Sequence, residues 1–393
     1  MSKDKKVIGF SRNVFVLGLV SLFMDISSEM IYPLVPLFLS SVLGVSKTYI
    51  GLIEGIAEST ASIVKVFSGW FSDRIKKRKI LILSGYGLST LSRPILSLAG
   101  SWVSVLIYRF TDRFGKGIRT APRDAVVADS TEPSYLGRAF GFHRTMDTIG
   151  AAIGPAVAFF VLGVFAGDFR KVFWLSMVPG TIAVLLIIFF VKETVGKTHT
   201  SRYKDTPRLS LKGLDIRFRH FLLVATIFSL GNSSDAFLVL RARDFGIETV
   251  KIPLLYLTFN VVYSIVSIPA GMIADKVGKR RMIILGYLLF AFIYLGFAFA
   301  KTAGHIWFLF ALYGVFMGIS EGVQRAFVAT TIRPELRATG YGIYHTAVGL
   351  AAFPASIIGG ALWQYYGPHA IFLYGTATAV ISSLLFIALL ARE

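Results

Sequence analysis

No cysteine occurs anywhere in the chain. Disulfides, thiolate metal sites and cysteine nucleophiles are thereby excluded. Charge is scarce as well: Asp, Glu, Lys and Arg make up 16% of the residues, against about a quarter in ordinary globular domains. Acids are fewest, 22 against 41 Lys and Arg. The six histidines include no His-x-x-x-His pair, which argues against a zinc enzyme. GKG at 115–117 lacks the spacing of a phosphate-binding loop. Without an ATP motif, any energy source is a gradient or the solute itself. The amino terminus MSKDKKVIGFSRN has no small-residue cleavage site at a sensible distance, and the next apolar segment carries Asp25 and Glu29. A cleaved signal peptide is therefore not expected.

What is present is apolar. Hydrophobic residues make up 54%, with 34 Phe, and runs of about 20 such residues span a bilayer core. Hydropathy with turn and charge punctuation predicts twelve spans, at 12–39, 48–72, 80–99, 102–128, 138–165, 170–191, 219–241, 253–275, 282–300, 304–330, 338–364 and 368–391. The longest polar interval, 192–218, separates six spans from six. The expected organisation is a bundle over 1–191, a cytoplasmic linker over 192–218 and a second bundle over 219–393.

Basic residues sort by side. If the amino terminus, the 73–79 turn, the 192–219 loop and the 275–281 turn share a side, the other side keeps only Lys47, Arg170, Lys171, Arg241, Arg243, Lys251 and Lys301. That bias predicts cytoplasmic termini in a multi-pass protein of the cytoplasmic membrane. The net charge of +19 thus reads as a topology signal and an attraction to anionic lipid headgroups. No aromatic-basic module accompanies it, so a nucleic-acid partner is not expected.

The halves resemble each other. GWFSDRIKKRK at 69–79 pairs with GMIADKVGKRR at 271–281, and RAFGFHRTMDTIGAAIGPA at 138–156 pairs with RATGYGIYHTAVGLAAFPA at 337–355. Two matches at nearly equal offsets imply duplication, and paired six-span halves are a transporter architecture. On these motifs the chain resembles the major facilitator superfamily over nearly its whole length. GMIADKVGKRR matches that family's cytoplasmic motif in full; in the first copy Lys76 stands where the motif has glycine. The resemblance implies an all-α membrane protein with twelve transmembrane helices in two pseudo-symmetric six-helix bundles. GAAIGP at 150–155 matches the core of a motif of antiporting exporters, without the glycine that follows it there; a simple packing Gly-x-x-x-Gly with a proline kink explains it equally.

In the paired motif, Gly69 and Gly271 are expected to allow close helix approach. Asp73 and Asp275, followed by Arg74 and Lys276, sit at helix ends where a carboxylate accepts charge-assisted bonds or caps a neighbour. An arrangement made in one state and broken in the other is a cytoplasmic latch.

The fourth span, with FTDRFGKGIRTAPRDA at 110–125, carries most of the embedded charge. Projected as a helix, Arg109, Asp112, Arg113, Lys116, Arg119, Arg123 and Asp124 fall within an arc of about 140°, opposite Phe110, Phe114, Ile118, Ala121 and Ala125. Each such charge in lipid would cost roughly 2.5–3.5 kcal/mol, so the arc must face water or opposite charge. Gly115 and Gly117 predict close neighbours, and Pro122 a kink. Partners on offer are Asp25, Glu29 and Tyr32 in span one, Glu54, Glu58 and Lys65 in span two, Arg93 in span three, and His143, Arg144 and Asp147 in span five. Acids and bases in this set are near balance, as a paired buried network requires.

Two neighbouring carboxylates in low dielectric favour a shared proton, which makes Asp25, Glu29, Glu54 and Glu58 the proton-coupling candidates. Arg113 and Lys116 lie near mid-membrane depth as substrate candidates, while Arg119, Arg123 and Asp124 lie closer to the cytoplasm as gate candidates with the paired motif. The second half offers Asp235, Glu321, Arg325 and the face Tyr256, Asn260, Tyr263, with Tyr344 and His345 nearby in sequence pattern.

The expectation is a secondary active transporter, not an enzyme, working as a monomer without a cofactor. It moves a small polar or amphipathic organic solute, an anion among the options, by alternating access coupled to protons. The alternatives are a drug/proton antiporter, a divalent-metal transporter, and a non-transporting receptor or scaffold on the same fold. Drug export predicts an aromatic cavity with one or two acids, and the many embedded bases count against both it and the metal.

Overall fold

A computed structural model describes residues 10–75, 77–132, 136–193, 215–332 and 337–390. They form helices α1 (Arg12–Glu29), α2 (Val35–Leu37), α3 (Lys47–Ile75), α4 (Arg78–Leu91), α5 (Arg93–Ser97), α6 (Trp102–Asp129), α7 (Leu136–Val164) and α8 (Phe169–Leu175). There follow α9 (Met177–Phe190), α10 (Ile216–Gly231), α11 (Ala236–Asp244), α12 (Ile252–Val277), α13 (Lys279–Phe299), α14 (Ala303–Thr331), α15 (Arg337–Tyr366) and α16 (Pro368–Leu390).

These are twelve membrane-crossing runs, because α1–α2, α4–α5, α8–α9 and α10–α11 are each one run with an interruption. Proline explains three breaks: Pro33 and Pro36, Pro94 and Pro179 each lack the N–H that would continue the ladder. The fourth break, at residues 232–235, contains no proline; there Asn-Ser-Ser-Asp offers side-chain partners that compete with the helix for its backbone groups. Pro122, by contrast, lies inside an uninterrupted α6. Helix starts follow polar caps: Ser11 accepts from the Val14 N–H at 3.4 Å, Asp215 from Arg217 at 2.8 Å and Thr302 from His305 at 3.3 Å.

Eight runs are long and apolar enough to cross a membrane by length and composition alone. The four that fall short come first in the chain, and α1, α3 and α6 among them carry the embedded charges. The apolar surface faces outward: Phe160, Phe189 and Ile268 are 69%, 68% and 74% exposed. Patches of this kind are tolerable only against lipid.

Contacts divide the chain into two units, Met1–Phe38 with Thr60–Tyr203, and Leu39–Ser59 with Lys204–Glu393. In the first, α1 packs on α7 and α9, and α4 on α6 and α9; in the second, α10 packs on α15 and α16, and α13 on α14 and α16. The helix pairing therefore repeats, as the duplicated motifs require. Leu17, Val20, Ile82, Tyr86, Val126 and Ile187 form the first unit's core. The second is built on stacked rings, with Phe228 and Tyr287 centroids 4.0 Å apart and Phe290 and Tyr294 3.9 Å apart.

The start of α3 belongs to the second unit through a backbone-close seam with α15. A Cβ on Gly51 would lie 2.1 Å from the Ser356 carbonyl oxygen, and one on Gly360 would lie 2.4 Å from that of Lys47. The seam is completed by Ser59 Oγ donating to the Gly349 carbonyl at 2.9 Å and by the Lys47 N–H donating to Gln364 Oε1 at 3.1 Å.

Candidate functional site: an embedded charge stripe and a carboxylate cluster

The α6 stripe exists as projected. Phe110 and Phe114 stack 5.9 Å apart on the exposed side, while Arg109, Asp112, Arg113 and Arg119 are buried. Small residues bring the backbones together: Gly115 faces the Gly85 carbonyl, where a Cβ would lie at 2.6 Å, and Gly117 faces Val64, where one would also lie at 2.6 Å.

Within the first unit the buried bases meet aromatic rings, neutral groups and Asp112. The guanidinium carbons of Arg109 and Arg113 lie 5.4 and 5.5 Å from the centroid of the Tyr32 ring. Arg113 Nε is 3.9 Å from Asp112. Arg93, fully buried on α5, donates to Ser28 Oγ at 3.4 Å and to the Met24 sulfur at 3.5 Å. Arg119 lies over the Tyr86 ring at 4.4 Å and donates to Ser89 Oγ at 2.5 Å. It thereby ties α6 to α4 inside one unit. Lys116, on the same stripe, is exposed.

Asp25 and Glu29 are half-buried on α1 and pack against the glycines of GAAIGP. A Cβ at Gly150 would lie 2.9 Å from the Asp25 Cβ, and one at Gly154 2.7 Å from that of Glu29. Those glycines therefore do helix-packing work at the positions of the two acids. Toward the other end of the stripe, Arg123 donates to its neighbour Asp124 at 2.9 Å and to Ser21 Oγ at 3.4 Å. His143 Nδ1 lies 3.5 Å from Asp147.

Sequence reasoning grouped Glu54 and Glu58 with the first half's bases; the structure assigns them to the second unit, beside Asp235. Ser234 Oγ donates to Glu54 Oε2 at 3.3 Å, and the Tyr313 hydroxyl donates to Asp235 Oδ1 at 2.7 Å. Helix α3 divides between the units after Ser59, which no local pattern in its sequence marks.

On the remaining faces of the second unit, Tyr256 and Asn260 are buried, and Tyr256 meets Phe259 edge-on at 6.0 Å. Tyr263 hydrogen-bonds Glu321, which also pairs with Arg325 one turn away. The Tyr344 hydroxyl donates to Gln324 Oε1 at 2.8 Å, and the His345 ring lies 5.2 Å from that of Tyr344.

The motif residues are more loosely set than expected. Among the described residues, a Cβ on Gly69 would meet Ala121 at 3.4 Å and one on Gly271 would have nothing within 4 Å. Close approach at Gly271 is therefore not found among the described residues. The Asp73 and Arg74 side chains lie outside the described residues. Asp275 and Lys276 are exposed, and Asp275 pairs with Lys279 at 3.2 Å across the turn. That turn needs Gly278, whose φ of 100° is a conformation side chains resist.

Several partners escaped sequence reasoning. Tyr313 and Ser234 complete the carboxylate cluster; the polar residues 232–235 were the signal for Ser234, and Tyr313 in α14 carried none. Glu193 accepts the Arg78 and Lys79 N–H groups at 2.9 and 3.0 Å, compensating the positive start of α4. Arg78 also pairs with Asp129.

Comparison with known proteins agrees with this architecture. The model of the Major Facilitator Superfamily matches residues 17–241 and again 221–393. An uncharacterised MFS-type transporter of Methanocaldococcus jannaschii is 38% identical, with 96% of this chain and 94% of that one covered. A homologue of a multi-drug resistance efflux pump from Lactococcus lactis is 24% identical, covering 91% and 93%. Among solved structures, a POT family transporter in complex with 5-aminolevulinic acid superposes with a TM-score of 0.83 at 12% identity, covering 99% and 98%. With its duplicated motifs, twelve helical runs and matched halves, this chain belongs to the Major Facilitator Superfamily and is a multi-pass membrane transporter.

Proposed function

We propose that this transporter moves a small polar or amphipathic organic solute across the cytoplasmic membrane by alternating access, with proton movement as the energy source and both termini in the cytoplasm. The observation that carries the reading is the first unit's stripe, where exposed Lys116 and half-buried Asp25 and Glu29 accompany arginines buried at membrane depth. Embedded ionisable groups of this number mark solute or ion pathways. Arg113 and Lys116 are the solute-binding residues proposed in the first unit. Tyr256, Asn260, Tyr263, Asp235, Glu321 and Arg325 are those proposed in the second.

Proton exchange is assigned to Asp25 and Glu29, and to Glu54 and Glu58 beside Asp235. A gate is assigned to Arg123 and Asp124 with the two cytoplasmic turns, and Arg119 supports it from its seat on α4. A bilayer with anionic headgroups and a monomeric working state complete the proposal.

In proteoliposomes, an identified solute should accumulate with an imposed pH gradient and lose that accumulation when Asp25, Glu29, Glu54 and Glu58 are neutralised. Accumulation indifferent to both would exclude proton coupling through these groups.

A second reading, export of hydrophobic drugs with proton antiport, is favoured by the efflux-pump relative and by the Tyr256–Phe259–Tyr263 ring series, where Phe259 and Tyr263 stack at 6.2 Å. The buried arginines weigh against it, since a lipophilic cation gains nothing from them. Drug-resistance profiling of an expressing strain separates the two.

A further inference from the structure

We propose that His143 and Asp147 form the proton relay between the cytoplasm and the acids of α1, Asp25 and Glu29. The proposal deepens the proton-coupled reading of the first unit and rests on it.

Helices α1 and α7 run side by side in the same direction. A Cβ on Gly18 would lie 2.5 Å from the Phe142 ring; one on Gly150 would lie 2.6 Å from the Leu22 carbonyl oxygen, and one on Gly154 2.8 Å from that of Ile26. Contacts that climb both helices together fix which positions face the seam. On α7 they are His143, Asp147, Gly150 and Gly154; on α1 they are Gly18, Ser21, Asp25 and Glu29. Steps of three and four residues keep each set on one helical face. The seam therefore carries His143, Asp147, Asp25 and Glu29 in ascending order. From His143 to Gly154, level with Glu29, α7 rises about 16 Å, roughly half of the bilayer core.

The steps between them are short. His143 Nδ1 is 3.5 Å from Asp147 Oδ2, and Asp147 lies beside Ser21 and Asp25 across the seam. Glu29 follows Asp25 one turn along α1. From α6, Arg123 faces Asp147, donates to Ser21 Oγ at 3.4 Å and pairs with Asp124, while Lys116 and Arg119 face Asp25. On α7 itself Arg144 is exposed; on α8, Arg170 binds the Ser97 and Ala99 carbonyls and Lys171 is exposed.

Two atoms of the pair are left over. His143 is only 5% exposed, yet its Nε2 has no hydrogen-bond partner among the described residues, and neither has the buried Asp147 Oδ1. Buried polar atoms left so call for an explanation. A His–Asp pair that only braced α7 would have no use for them. A relay does, because each member must receive a proton on one atom and pass it on from another.

The transfer balances. A proton leaving Asp25 is taken by Asp147 Oδ1, and the carboxyl turns its O–H to His143 Nδ1. The imidazolium so formed releases its other proton from Nε2 to cytoplasmic water, so each donor regains its former charge. Ring rotation restores the starting tautomer. The reverse sequence loads Asp25 from the cytoplasm, toward which the amino-terminal end of α7 points in the proposed orientation.

Because the proton itself is the probe, no solute is needed. The purified full chain in lipid nanodiscs is given a flash-released proton from a caged acid. Time-resolved infrared spectroscopy then follows the carboxyl band that Asp25→Asn removes. His143→Gln should slow the rise of that band about a hundredfold, the low end of what a positioned acid–base group supplies. Its final amplitude should stay unchanged, since a relay alters the rate and not the equilibrium. Asp147→Glu should keep most of the rate and Asp147→Asn should lose it, whereas His305→Gln on α14 should match the parent. Where His143→Gln fails to fold, the two Asp147 variants decide alone.

Equal rates in the parent and His143→Gln overturn the relay, because the proton then takes another path. Slowing with a matching loss of amplitude overturns it too, since the pair would then only set the local charge, and so does a full rate in Asp147→Asn. In each of these outcomes Asp25 still takes up a proton, and the proton-coupled reading stands. A carboxyl band that appears at no pH the protein survives removes Asp25 as a proton site, and the relay falls with it.

Discussion

Asp235 shows how much a single buried carboxylate depends on its neighbours. It closes the break between α10 and α11, accepts the Tyr313 hydroxyl at 2.7 Å and lies beside Glu54 and Glu58 in the second unit. Tyr313→Phe removes the donor and leaves the acceptor in place. That loss should destabilise the protein by about 1–3 kcal/mol, seen as a fall of a few degrees in detergent-solubilised melting. Asp235→Asn keeps a polar partner for Tyr313 and lessens the crowding of negative charge, so it should melt at or above the parent temperature. A Tyr313→Phe variant as stable as the parent would show that the hydrogen bond contributes nothing net.

Sequence reasoning found Asp235 because an acid in an apolar run stands out. It did not find Tyr313, because a tyrosine among the many aromatic residues of an apolar run carries no mark of its partner. Arg93 and Lys116 were equally visible as embedded charges, yet one is wholly buried and the other exposed. Both are bases in apolar runs, and helical phase alone does not say how deep a neighbour covers each.

At the scale of elements, glycine does the positioning. The α3–α15 seam depends on Gly51 and Gly360, whose hydrogens are all that separate backbone from backbone. Replacing either by leucine forces the helices apart, an overpacking cost of about 1–3 kcal/mol. Transport should fall with it, because the displaced helix carries Glu54 and Glu58. A Gly271→Leu control meets no neighbour among the described residues and should leave melting unchanged. An effect of that variant on transport without one on stability would indicate that α12 closes on a neighbour elsewhere in the cycle. The contrast is instructive, since the motif marked Gly271 and no motif marked Gly51. A repeated pattern reports what the family reuses, which need not be a contact of every state.

For the whole molecule, the absence of cysteine gives a clean background for topology. A single cysteine at Ser201, within the central polar segment, should react with a membrane-impermeant maleimide only in inverted vesicles. One at Lys251, between α11 and α12, should react only in right-side-out cells. The reverse pattern would overturn the orientation drawn from the basic residues. Coupling also belongs to this scale. Neutralising Asp25 with Glu29 should abolish pH-driven accumulation and leave solute exchange at equal pH, because exchange needs no net proton transfer. Loss of both would make those acids part of the solute site or of the folded bundle.

The amino-acid sequence alone determined the class of molecule. Apolar runs long enough to span a bilayer, a duplicated motif and a one-sided distribution of Lys and Arg are local or periodic properties, and they specify twelve helices in two related halves. Helical phase sufficed to sort α6 into a charged and an aromatic face, since that requires only 100° per residue. Which charges share an environment was decided by tertiary structure. The start of α3 packs on α15 through glycines distant in sequence, and this brings Glu54 and Glu58 to the side of Asp235. Charge pairing in low dielectric is a property of neighbours in space, so the cluster of acids around Asp235 became visible only with the fold.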